Sequence, residues 1–208
     1  MRQLRVVAGW TESQTAEAYG CSVSHISRVE RGTAKPSRTL AEFYEERFES
    51  EGLLHSLLEV VEYSREQDRR RLASGRGPRE VRATPGDATA FIDDTVPHGT
   101  LMTPGMFFVK TWRIRNVGSV PWQNRRLERQ GPRTGPGLIT SPRYVPMPDT
   151  EPGEEAEIEV PLKAPTYDCS SIAYFKMVDK DGFLCFPDEH QLGLDVLVRV
   201  ARNRAGHQ

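Results

Sequence analysis

Between Trp10 and Gly32 the chain has room for two short helices and little between them. Thr11 is a good N-cap, and Gln14 three residues later completes a capping box. Ala16 is small enough for another helix to approach. Gly20 breaks the first helix and takes the positive φ that a short turn needs. Ser22 caps the second helix. Ile26 and Val29, three residues apart, share its inner face, and Gly32 ends it. A small residue, a turn glycine and two apolar anchors at these intervals form a helix-turn-helix pattern, which commits the front of the chain to a small helical bundle.

The flanking sequence supplies the rest of that bundle. Gln3 to Ala8 reads as a first helix with Leu4 and Val7 facing inward, ended by Gly9. Ser37 caps a fourth helix from Arg38 to about Phe48, with Leu40, Phe43, Tyr44 and Phe48 at helical spacing. A fifth runs from Leu53 to about Leu72, its apolar face made of Leu54, Leu57, Leu58 and Val61. Its charged back half, Ser64 to Arg71, either projects into solvent or pairs with a second chain. The helical domain is assigned to residues 1–72.

The run His25-Ile26-Ser27-Arg28-Val29-Glu30-Arg31-Gly32, with the turn before it, resembles the Cro/phage-repressor-type (XRE) helix-turn-helix family over roughly Leu4 to Leu57. The resemblance implies binding to double-stranded DNA. In a helix-turn-helix the second motif helix lies in the major groove with its first turns against base edges. The exposed positions there are Ser22, Ser24, His25, Ser27 and Arg28. Arg28 suits guanine O6 and N7. Ser27 and the helix starts at Thr11 and Ser22 suit phosphate. Lys35 and Arg38 add nonspecific attraction. The bland reading of Arg28 is an ion pair with Glu30 or Glu17. The family commonly has Gln at the position of Glu12, where it touches phosphate; a carboxylate repels DNA there, and Gln14 is the residue to take over. Arg2, Arg5, Arg28, Arg31, Lys35 and Arg38 outnumber Glu12, Glu17 and Glu30 in this segment, although the whole chain carries a net charge of −1. Two copies on DNA are expected, with half-sites about 34 Å apart.

Residues 73–89 carry Gly75, Gly77, Pro78, Pro85 and Gly86 and read as a flexible linker. Arg69, Arg70, Arg71, Arg76, Arg79 and Arg82 cluster there, as solvated charge or as contacts to phosphate. From Phe91 the period becomes two. Phe108, Trp112 and Ile114 share a face that also receives Lys110, so a strand end or sheet edge is expected at Lys110. Ala156, Ile158, Val160 and Leu162 alternate with glutamates; Ala173, Phe175 and Met177 alternate with Tyr174 and Lys176; Leu192 to Val200 makes a last strand. Asp181-Gly182, Pro104-Gly105 and Pro152-Gly153 mark turns, and Gly131 to Pro148 reads as a long loop. This is an antiparallel sandwich over residues 90–201, with a tail at 202–208. Trp112 belongs to its core; Trp122, after Pro121, is core or a partner-binding anchor.

The run from Asp94 to Thr100, then Pro104-Gly105, Phe108 to Gly118 and Pro121-Trp122, resembles the four-tryptophan (FW) domain of selective-autophagy cargo receptors. That resemblance implies an immunoglobulin-like sandwich that binds other proteins. Phe175 stands where the third tryptophan falls, and none lies between Leu192 and Val200.

Other chemistry finds little support. His25, His55, His98, His190 and His207 are scattered, with no ligand pair at metal spacing. Asp179-Lys180-Asp181-Gly182 starts like a calcium loop, but its twelfth position is His190. Asp93-Asp94 and Asp188-Glu189 read as surface loops. No phosphate loop, nucleophile elbow or zincin motif occurs, so neither an enzyme nor a cofactor is expected. Cys21, Cys169 and Cys185 lack framework spacing and suit a reducing cytoplasm. No membrane span or signal segment is expected. The reading is a sequence-specific DNA-binding regulator whose second domain mediates protein interaction or assembly; a protein-interaction adaptor with little DNA binding is the alternative, favoured by Glu12.

Overall fold

The computed structural model describes residues 1–75, 83–186 and 193–202. Arg76, Arg79 and Arg82 of the linker, Asp188, Glu189, His190 and Leu192, and the tail from residue 203, including His207, lie outside the described residues. Two compact units divide between Leu58 and Glu59. Helices occupy the chain through Ala73 and strands begin at Thr89, as the two periodicities demand.

Five helices make up the first part: α1 (Arg2–Val7), α2 (Glu12–Tyr19), α3 (Val23–Glu30), α4 (Arg38–Phe48) and α5 (Leu53–Ala73), the last continuing into the second unit. Local chemistry sets their ends. Thr11 and Gln14 form the capping box of α2, and Ser22 and Ser37 accept from the His25 and Leu40 amides. Gly20 is left-handed at φ 80°, and the Cys21 amide returns to the Ala16 carbonyl at 2.9 Å. Glu45 takes the role of a remote cap for α5, accepting from the Gly52 and His55 amides at 2.8 Å each. The core gathers Ala16, Ile26, Val29, Leu40, Ala41, Tyr44, Phe48, Leu54 and Leu58. Trp10 stands edge-on to Phe48 at 5.6 Å between centroids.

Two inward assignments change. Val7 is 83 % exposed, and Val61 on α5 is exposed as well. Leu4 packs against the core as expected, and Arg5 turns inward beside it, because a buried carboxylate waits for it on α3. Arg5 Nε and Nη2 donate to Glu30 at 2.7 Å each, and Nη1 donates to the Trp10 carbonyl at 2.7 Å. The Tyr44 hydroxyl completes the shell, donating to Glu30 at 2.8 Å.

From Thr89 the second unit forms a sandwich of two sheets. One has the order β1-β3-β6, formed by Thr89–Asp94, Phe107–Asn116 and Glu155–Lys163. The other has the order β2-β8-β7-β4-β5, formed by Thr100–Met102, Leu194–Val200, Cys169–Val178, Arg126–Gln130 and Tyr144–Pro146. All pairings are antiparallel except β2 with β8. Strict alternation along β6 buries Ala156, Ile158, Val160 and Leu162 and exposes the glutamates between them. Trp112 meets Phe175 across the core at 5.5 Å. The Asp179 side chain accepts from the Asp181 and Phe183 amides and closes the turn at Asp181-Gly182.

Three features of the sandwich depart from expectation. Lys110 is fully buried in the central strand of its sheet, not at an edge. Its ammonium pairs with Asp94 at 2.8 Å and donates to the Thr95 and Val96 carbonyls, which replaces its hydration shell. Gly131 to Pro148 is not all loop: Tyr144–Pro146 pairs with β4, and Leu138 and Ile139 are buried. Trp122 is 0 % exposed. Its Nε1 donates to Asp87 at 2.9 Å, and Asp87 also pairs with Arg125 at 2.8 Å. A ring held this way is a core element, so of its two readings the core one stands and the partner-binding anchor is corrected.

Candidate nucleic-acid interface

Helix α3 is fixed from behind and open in front. Ile26 is fully buried and Val29 nearly so. The Arg5–Glu30 pair ties the end of the same helix to α1, and Tyr44 ties it to α4. Burial alone pushes the Glu30 carboxyl up, but hydrogen bonds from Arg5 and Tyr44 and the Arg5 charge outweigh it and hold it below the usual carboxylate range.

The polar side chains named from the sequence line the outer side of α3. Ser22, Ser24 and Arg28 are exposed, and His25 and Ser27 are half-buried. Ser22 and Ser24 share a hydroxyl hydrogen bond at 3.1 Å. Arg28 Nε donates to the Ser24 carbonyl at 3.3 Å, which lays the guanidinium along the helix face. Glu30 is occupied by Arg5, and among the described residues Arg28 has no ion-pair partner. The side chain is exposed and carries four further N–H donors, which a guanine reader needs.

The supporting residues fall into place around α3. Thr11 and Gln14 are exposed at the start of α2 but serve the capping box, with Gln14 Oε1 accepting from the Thr11 amide at 2.8 Å. The Gln14 amide nitrogen remains available for a phosphate oxygen. Glu12 is partly neutralised: its carboxylate lies 3.8 Å from Arg5 Nη2. One guanidinium therefore serves two carboxylates, a buried one and a more exposed one. Lys35 and Arg38 are exposed before and at the start of α4.

Sequence reasoning missed Arg5 and Val23. Arg5 lies beside apolar Leu4, Val6 and Val7 and gave no apolar signal. Val23, the first residue of α3, is 43 % exposed. A search for hydrogen-bonding readers passes over it.

Comparison with known proteins places both halves. Residues 95–198 match the family model of the Ig-like domain from next to BRCA1 gene, and residues 1–72 match a helix-turn-helix domain model. The Next to BRCA1 gene 1 protein of Mus musculus is 27 % identical over 93 residues, 45 % of this chain and 9 % of that protein. The Homo sapiens protein of that name is 46 % identical over 35 residues, 17 % of this chain and 4 % of that one. Among solved structures, a crystal structure of native alpha-2-macroglobulin from Escherichia coli is 14 % identical with a TM-score of 0.38, covering 56 % of this chain and 17 % of that one.

Proposed function

The chain belongs to the family of the Ig-like domain from next to BRCA1 gene, carried here behind a helix-turn-helix domain, and from this premise we propose that it is a sequence-specific DNA-binding transcriptional regulator. Its helical domain reads double-stranded DNA through α3; its sandwich receives a protein partner or assembles copies of the chain. It acts by binding rather than by catalysis, and it works in the cytoplasm, where its free cysteines stay reduced. Among the described residues no helix is long and apolar enough to cross a membrane.

The observation that carries the reading is the division of labour on α3. Ile26, Val29 and Glu30 are spent on holding the helix, which leaves Ser24 and Arg28 exposed. An exposed arginine with no ion-pair partner among the described residues, on a firmly held helix, is what direct readout needs. One reader domain contacts few phosphates, so two copies are expected on a site with half-sites about 34 Å apart. The test is fluorescence anisotropy of the full chain on random duplex, followed by selection from a random-sequence library. Binding that falls steeply with salt and converges on one motif supports the proposal. Absence of binding at low salt, with the fold intact, rejects it in favour of the adaptor reading, for which the Glu12 carboxylate is the supporting observation.

A further inference from the structure

Val23 is a large apolar side chain held in water at the leading tip of α3. It sits outside the core that Ile26 and Val29 join, and a β-branched residue gains nothing from a helix start. The side chains beside it are already committed. Ser22 caps the helix, its hydroxyl accepting from the His25 amide, and Ser24 bonds to Ser22. The tip therefore offers a major groove one apolar group beside the exposed Ser24 hydroxyl, with Arg28 further along. Of the base edges in that groove, only thymine presents a methyl group.

We infer that Val23 is a specificity-determining residue that packs on a thymine 5-methyl in each half-site, close to the guanine taken by Arg28. The inference rests on the DNA-reading role proposed above. Val23 and Arg28 are five positions apart, about 7.5 Å along the axis and about 140° around it. Arg28 also leans back toward Ser24. The thymine and the guanine therefore lie within about two base pairs of each other.

The experiment uses the full chain and the duplex selected from a random library. Each thymine is replaced in turn by deoxyuridine, which removes the methyl and leaves every hydrogen-bonding atom. For the unaltered protein, one replacement per half-site weakens binding about fourfold, the worth of one buried methyl-sized group. In Val23→Ala the same replacement is without effect, and Val23→Thr, which keeps one branch methyl, retains part of the sensitivity. Circular dichroism confirms that the variants fold. The inference is overturned if no thymine is sensitive, or if Val23→Ala keeps the full sensitivity, while sequence-selective binding persists. Failure of the selection to enrich any sequence overturns the DNA-reading role itself, and this inference with it.

Discussion

Replacing Arg5 by methionine tests the framework that holds the reading helix. Arg5 gives two hydrogen bonds of 2.7 Å to Glu30, and the two side chains are 8 % and 1 % exposed. A pair on the surface would be worth under about 1 kcal/mol. Removing one partner of a buried pair strands the other charge and costs about 3–5 kcal/mol. For a helical domain of this size that lowers the melting temperature by roughly 10–40 °C. The pH dependence carries the sign. In the unaltered chain the Glu30 pKa is depressed, so its stabilisation is present above the unfolded pKa and is lost as pH falls through the folded one. Without Arg5, burial prevails and the Glu30 pKa rises. The variant's deficit is then largest near neutrality and shrinks as acid protonates the stranded carboxyl. The assay is urea denaturation of the full chain, followed by helical circular dichroism at pH 7 and pH 5. The double variant Arg5→Met/Glu30→Gln should recover part of the loss. A deficit under about 1 kcal/mol at neutral pH, or one that does not change with pH, refutes the argument.

Arg28→Ala should flatten sequence preference by about 1–3 kcal/mol at one base position, whereas Lys35→Ala weakens all duplexes alike; competition binding against base-substituted sites distinguishes them. Glu12→Gln should tighten DNA binding about fivefold at low salt, the worth of one removed repulsion near phosphate, and the gain should fade at high salt in anisotropy titrations. Lys110→Met should destabilise the sandwich by about 3 kcal/mol, because Asp94 and the Thr95 and Val96 carbonyls lose their shared donor; differential scanning calorimetry reads the shift.

What was legible in the sequence was whatever depends on neighbours in the chain. The Thr11–Gln14 box, the Gly20 turn and the alternation along β6 are each written within a few residues, and each stands where it was read. What escaped depends on partners far along the chain. Arg5 turns inward because of Glu30, 25 residues away, and Val7 turns outward as a result. Lys110 is tolerated in a central strand because Asp94 and two carbonyls arrive from elsewhere. Trp122 is drawn into the core by Asp87, 35 residues upstream. Within the candidate interface, the polar side chains of α3 singled out by type and spacing are exposed or half-buried in the structure. Val23 was not singled out, because an apolar side chain at a helix start carries no polar signal.

The Asp87 carboxylate has a practical consequence for anyone dissecting the protein. Compositional reasoning would start a fragment at Ala90, after the glycines and prolines. That cut discards the acid which both Trp122 and Arg125 use, leaving an enclosed indole N–H without its acceptor and a buried guanidinium without its carboxylate. Gly86, just before it, accepts from the Ser119 amide at 2.7 Å and would be lost too. A fragment meant to report on the sandwich alone should begin at Ala83 or earlier, so that it keeps its own keystone.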